Sequence, residues 1–218
     1  MSRIPDIFAQ LRGESRKALM PFVTAGYPSM AHTGAILPAL QRGGASVCEL
    51  GIPFSDPIAD GPVIQASMTA ALDAGAKPAA ALDIVGRQRD ELALGMVAMV
   101  SYSIVYRTGV DAFVRRAADA GIDGFIFPDL PLEEAEATSR IAADAGLTSS
   151  LLIAPTTPAE RAARIARLTT GFVYVVARTG ITGESDAAPE GLAERVALIR
   201  NETDLPIAVG FGISKAEH

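Results

Sequence analysis

A parallel (β/α)8 barrel is the fold class this sequence predicts, and three observations predict it. Seven short apolar runs alternate with helical segments along the chain, and no hairpin turn joins any two of them. Polar residues gather just after the C-terminal ends of several runs, at Glu49, Tyr102, Asp129, Arg178 and Gly212. Apolar strands alternating with helices make a parallel sheet covered by those helices. A doubly wound open sheet would satisfy that much, but no GxGxxG follows the first run and no phosphate-binding lysine loop occurs. Both folds place sites beyond the strand ends, and contributions from this many strands suit the barrel.

The elements follow in order. Residues 3–17 predict an amphipathic helix with Ile4, Ile7, Phe8 and Leu11 on one face. Residues 18–25 are the first strand, closed by Gly26-Tyr27-Pro28. Helices near 30–43, 62–74 and 78–93 surround a strand at 45–50. A strand at 95–101 leads into a loop holding Tyr102, then a helix at 109–120 that Gly121 ends. Residues 123–127 form a strand. The helix after Pro131 carries Glu133, Glu134 and Glu136 near its start, where the helix dipole favours acids, and closes at Gly146. Residues 147–153 are a strand, and Thr157 caps a helix reaching Leu168. A strand at 171–176, a glycine-punctuated loop at 178–189, a helix to Asn201 and a strand at 206–209 complete the series. Seven strands are one short of closure. The chain is therefore expected to be an incomplete single domain over 1–218, truncated at its C-terminus and exposing two parallel edges.

Composition narrows the chemistry. With 218 residues, 49% of them hydrophobic, the chain can bury a large core in one domain. A net charge of −6 disfavours nucleic acid or an anionic membrane as partner. No run approaches eighteen apolar residues, so no membrane span is expected. The single cysteine, Cys48, fits a reducing cytoplasm and reads as a small core residue. With only His32 and His218 as histidines, neither a His/Cys metal site nor a Ser-His-Asp triad can be assembled. Acid–base work must fall to carboxylates, tyrosines or backbone groups.

One stretch concentrates carboxylates. Glu49 lies inside an apolar strand, where a charge is costly without a role or partner. Asp56 and Asp60 follow in a Pro/Gly-punctuated loop, and Asp60, before Gly61-Pro62, can also be read as a helix cap. Taken whole, Glu-Leu-Gly-Ile-Pro-Phe-Ser-Asp-Pro-Ile-Ala-Asp-Gly-Pro-Val-Ile-Gln, residues 49–65, resembles the signature of the tryptophan synthase α subunit family. Pro21-Phe22-Val23-Thr24-Ala25-Gly26-Tyr27-Pro28, Pro128-Asp129-Leu130-Pro131, Arg178-Thr179-Gly180-Ile181-Thr182-Gly183 and Gly210-Phe211-Gly212-Ile213-Ser214 match it too, in order across the chain.

The resemblance implies a (β/α)8 barrel that cleaves indole-3-glycerol phosphate to indole and glyceraldehyde 3-phosphate, without metal or cofactor. It implies Glu49 as the proton-transferring carboxyl and Asp60 as the ionised acceptor of the indole N–H. Phe22, Tyr102, Tyr174 and Phe211 would line the site, with core packing a competing reading for Phe22, Tyr102 and Phe211. Loop 178–189 would be a lid whose Thr182 orients Asp60. Gly183 and Gly212 would hold phosphate through backbone N–H groups, beside a Gly-Ser helix start that these residues lack. Pro53, Asp56, Pro57 and Pro131 would face a β subunit in an α2β2 complex, and pyridoxal phosphate would belong to that partner alone. A weakly catalytic interaction subunit is the alternative reading. Another phosphosugar-processing barrel would leave the match over 49–65 without a reason.

Overall fold

Among the described residues each apolar run except the last is followed by a helix that carries the chain back along its own strand, and this fixes the topology. The computed structural model describes residues 1–57, 60–177 and 191–211. Within them the order is α1 (Ile4–Gly13), β1 (Phe22–Thr24), α2 (Met30–Arg42), β2 (Val47–Gly51), α3 (Pro62–Asp73), α4 (Pro78–Gln88) and β3 (Gly95–Met99). Then come α5 (Tyr102–Thr108), α6 (Val110–Asp119), β4 (Gly124–Ile126), α7 (Leu132–Asp144), β5 (Thr148–Ser150) and β6 (Leu152–Ile153). The series ends with α8 (Ala159–Leu168), β7 (Val173–Val176), α9 (Leu192–Arg200) and β8 (Ile207–Gly210). All pairings are parallel and sequential, β1 to β5 in one sheet and β6 to β8 in a second.

The run at 147–153 is divided at Leu151 into β5 and β6, so seven runs give eight segments. The two sheets remain linked there, because the Tyr174 N–H donates to the Leu151 carbonyl at 3.1 Å. Among the described residues β1 and β8 are not paired with each other.

Side chains alternate between two sides of this wall. Val47, Val97, Met99, Ile126, Phe172 and Tyr174 share an interior cluster, with Phe22 and Phe211 packed against it. Ile4 belongs to the same cluster, and Ile7 and Phe8 pack on it, so the apolar face of α1 closes the N-terminal end of the barrel. Burial of a side chain such as Ile4 contributes about 1.5–3 kcal/mol. Cys48 and Leu50, pointing the other way, pack in the layer between strands and helices. Burial, with the neighbouring charge of Glu49, pushes the Cys48 thiol up to about 12, which makes it the inert core residue expected.

Below the strands sits an ion pair that the sequence did not disclose. The Arg89 guanidinium donates to Asp123 at 2.6 Å, with only 11% and 4% of the two side chains exposed. The backbone N–H groups of Arg3 and Met96 also donate to Asp123, at 2.9 and 2.8 Å.

Several local expectations are corrected. The helix predicted over 3–17 ends at Gly13, and Ser15 beyond it has φ of 54°. The first strand keeps only Phe22–Thr24; Pro21 has no N–H to give a ladder, although its carbonyl still accepts from Glu49. Tyr102 opens α5 rather than lying in a loop, and Gly109, at φ of 91°, separates α5 from α6. Neither Thr157 nor Asp60 is a helix cap. Those positions are Pro158 and Gly61, and the Thr157 hydroxyl instead accepts from the Ala154 N–H at 3.0 Å.

Candidate active site

Strand alternation puts Glu49 on the inward side of β2, between the inward Val47 and Gly51. By register it is level with Phe22 on β1 and Val97 on β3. It is 5% exposed, and its contact among the described residues is with the Tyr174 hydroxyl, which donates at a long 3.5 Å. Burial pushes the Glu49 carboxyl up from 4.5 to about 7, with the tyrosine bond working against the rise. Burial is also the main reason that the Tyr174 hydroxyl lies well above its ordinary value, followed by the Glu49 charge. Tyr174 is therefore a neutral donor at physiological pH, and Glu49 is a carboxyl able to hold or release a proton there.

Two glycines make room for the rings around this acid. A Cβ at Gly51 would lie 2.3 Å from Phe22 Cζ, and one at Gly210 would lie 1.9 Å from the Tyr174 hydroxyl oxygen. No side chain fits at either point, so each ring can lean across the neighbouring strand. Phe211 stands against Tyr174 edge to face, with centroids 6.2 Å apart. Its φ of 65° is uncommon for a bulky residue, a strain of the kind that clusters at ligand sites. Glu49, Phe22, Tyr174 and Phe211 line a cleft of about 750 Å³, together with residues of β1 and β8. Arg12, Arg16, Lys17 and Arg200 are also among its lining residues.

Asp60 enters α3 from the loop after β2. It is half-buried, and burial raises its carboxyl too. Its environment thus differs from that of Glu49 in degree, not in direction. Its charge also contributes, after burial and Glu49, to the rise of the Tyr174 hydroxyl.

Other expected residues separate. Tyr102 is not brought to Glu49. Its ring packs in the outer layer, between Phe127 and Tyr106 at centroid distances of 6.3 and 5.9 Å. Its backbone matters instead: the Tyr102 N–H and the Ser101 hydroxyl both donate to Asp129 at 2.7 Å, tying the end of β3 to the end of β4. Thr182, Gly183 and Gly212, together with the loop 178–189, lie outside the described residues. Asp56 and Pro131 are exposed and Pro57 half-buried, as a docking face requires. Pro53 is buried. Among the described residues no group of three His, Cys, Asp or Glu side chains could hold a metal ion.

Sequence reasoning missed Gly51 and Gly210, and it gave Gln65 no role. The glycine at the end of an apolar strand was the available signal for the first two, since it marks close approach by a neighbour.

Comparison with known proteins places this arrangement. The family model described as tryptophan synthase alpha chain matches residues 8–218. The tryptophan synthase alpha chain of Rhodopirellula baltica is 48% identical, over 100% of this chain and 79% of its own length. That of Acaryochloris marina is 44% identical, over 100% and 82%. Among solved structures, the tryptophan synthase A-subunit of Pyrococcus furiosus superposes with a TM-score of 0.86 at 40% identity, covering 92% of this chain and 80% of that one. A structure from Aquifex aeolicus reaches 0.89 at 34% identity, covering 100% and 83%.

Proposed function

The chain belongs to the tryptophan synthase alpha chain family, and on that membership we propose that it cleaves indole-3-glycerol phosphate to indole and glyceraldehyde 3-phosphate in tryptophan biosynthesis, with Glu49 moving the proton. The observation that carries the assignment of Glu49 is a carboxyl 5% exposed among aromatic rings, with its pKa raised to about 7.

The chemistry follows from that pKa. The protonated Glu49 gives its proton to C3 of the indole, turning the ring into a leaving group. The resulting carboxylate takes the proton from the adjacent side-chain hydroxyl as the C–C bond breaks and the aldehyde forms. One carboxyl serves as acid and then as base, and it ends protonated as it began. Asp60 accepts from the indole N–H and stabilises the cation formed when C3 is protonated. Tyr174 donates to the Glu49 carboxylate, while Phe22 and Phe211 pack on the indole ring. Thr182, Gly183 and Gly212 complete the reading, as an orienting hydroxyl and phosphate-binding backbone groups. No cofactor is assigned to this chain.

A β subunit carrying pyridoxal phosphate is the proposed cytoplasmic partner, in an α2β2 complex. Asp56, Pro57 and Pro131 would meet it, and Pro53 would support that loop.

Indole release by the unsubstituted chain and by Glu49→Gln, each with and without β subunit, tests this reading. The amide keeps the shape and removes the titrating proton. A fall of about 10²–10⁴-fold is expected. Near-full turnover by Glu49→Gln would contradict the role.

A further inference from the structure

Gln65 closes the stretch that carries the acids, yet the mechanism above leaves it unused. Its side-chain amide is half-buried, and it bridges two backbone carbonyls. Nε2 donates to the Asp60 carbonyl at 2.8 Å and to the Pro57 carbonyl at 3.3 Å. The Asp60 N–H donates to the same Pro57 carbonyl at 3.0 Å. Both amide hydrogens are used. Ordering a long glutamine costs rotamer freedom, which a surface side chain without a task does not give up.

The other end of the clamp is anchored to the barrel wall. Gln65 lies in the first turns of α3, two residues before Ser67. The Ser67 hydroxyl meets the Thr24 hydroxyl of β1 at 2.6 Å in a buried contact, and Ser67 is also bonded to the Ile64 carbonyl. A continuous path thus runs from β1 through Thr24, Ser67 and Gln65 to the backbone of Asp60.

We propose that Gln65 is a positioning residue: its amide ties the backbone of Asp60, and that of Pro57, to α3 and so aims the Asp60 carboxylate at the substrate's ring nitrogen. The proposal rests on the functional reading above. Asp60 acts most strongly once the ring becomes cationic, so misaiming it lowers kcat more than it raises KM.

Gln65→Met keeps the length and removes both donors. It is expected to lower kcat about tenfold with KM within about twofold, at an unchanged unfolding midpoint. Gln65→Glu is the second arm. Ionised, the introduced carboxylate repels the two carbonyls; protonated, it donates to one of them. Its kcat relative to the unsubstituted chain should recover as pH falls through its titration, a response that mere packing would not give. A carboxyl-carbon NMR titration of Asp60 needs no turnover, and its midpoint should move in Gln65→Met. That readout separates the two ideas: an unsubstituted chain releasing no indole defeats the functional reading, while an unmoved Asp60 midpoint defeats the role of Gln65. Unchanged kcat in Gln65→Met, or a pH-independent ratio in Gln65→Glu, likewise overturns it. Should Gln65→Met fail to fold, the pH arm of Gln65→Glu decides alone.

Discussion

Glu49 and Asp123 are buried to nearly the same depth, 5% and 3% exposed, and their surroundings could hardly differ more. Asp123, below the strands, accepts from the Arg89 guanidinium and from the backbone N–H groups of Arg3 and Met96. Glu49, on the inward face of β2, has one long contact with a tyrosine hydroxyl among the described residues. Burial alone penalises an ionised carboxyl. What decides its role is how many donors replace the lost water. Asp123 is saturated, so it works as a fixed anion that joins α1, β3 and the loop after α4. Glu49 is left poorly compensated, and it answers by holding its proton to about pH 7.

The largest expected effect comes from the saturated carboxylate. Asp123→Ala leaves the Arg89 charge and two backbone donors without their acceptor. Loss of one member of a buried pair costs about 3–5 kcal/mol. Denaturant unfolding should show that loss, while turnover per folded molecule stays unchanged. A cost below about 1 kcal/mol would make the pair no better than a surface contact and would break the comparison.

Glu49→Gln should act with the opposite sign on stability. The folded carboxyl keeps its proton until about pH 7, whereas the unfolded one releases it near 4.5. Between those values the folded state binds more protons, so stability falls as pH rises and levels off above 7. The amide does not titrate. The stability of Glu49→Gln relative to the unsubstituted chain should therefore grow by about 3 kcal/mol from pH 4.5 to 7, from a shift of 4.5 to about 7. Denaturant midpoints at several pH values give that curve, and a flat difference would remove Glu49 from the poised class.

These two carboxylates also mark what the sequence makes readable. Glu49 stood out because a charge interrupted an apolar strand, and the alternating helices and strands carried the barrel. The 49–65 stretch then gave Glu49 and Asp60 their expected roles. Asp123 gave no such signal, since an acid before a glycine at a strand start looks like ordinary loop chemistry, and its partner Arg89 is 34 residues away in the chain. Tyr102 was drawn to the site by position after a strand. The helix that begins at that residue carries the ring onto Phe127. Gly51 and Gly210 matter through rings on other strands, and the clamp of Gln65 depends on side-chain direction. Tertiary proximity of that kind leaves no periodic trace in a sequence.

The most direct measurement is a carboxyl-carbon NMR titration of Glu49 in the folded chain. A midpoint near 7 is the expected result. A midpoint near 4.5 for Glu49 would contradict the account, because a carboxyl fully ionised at neutral pH has no proton to give to the indole ring.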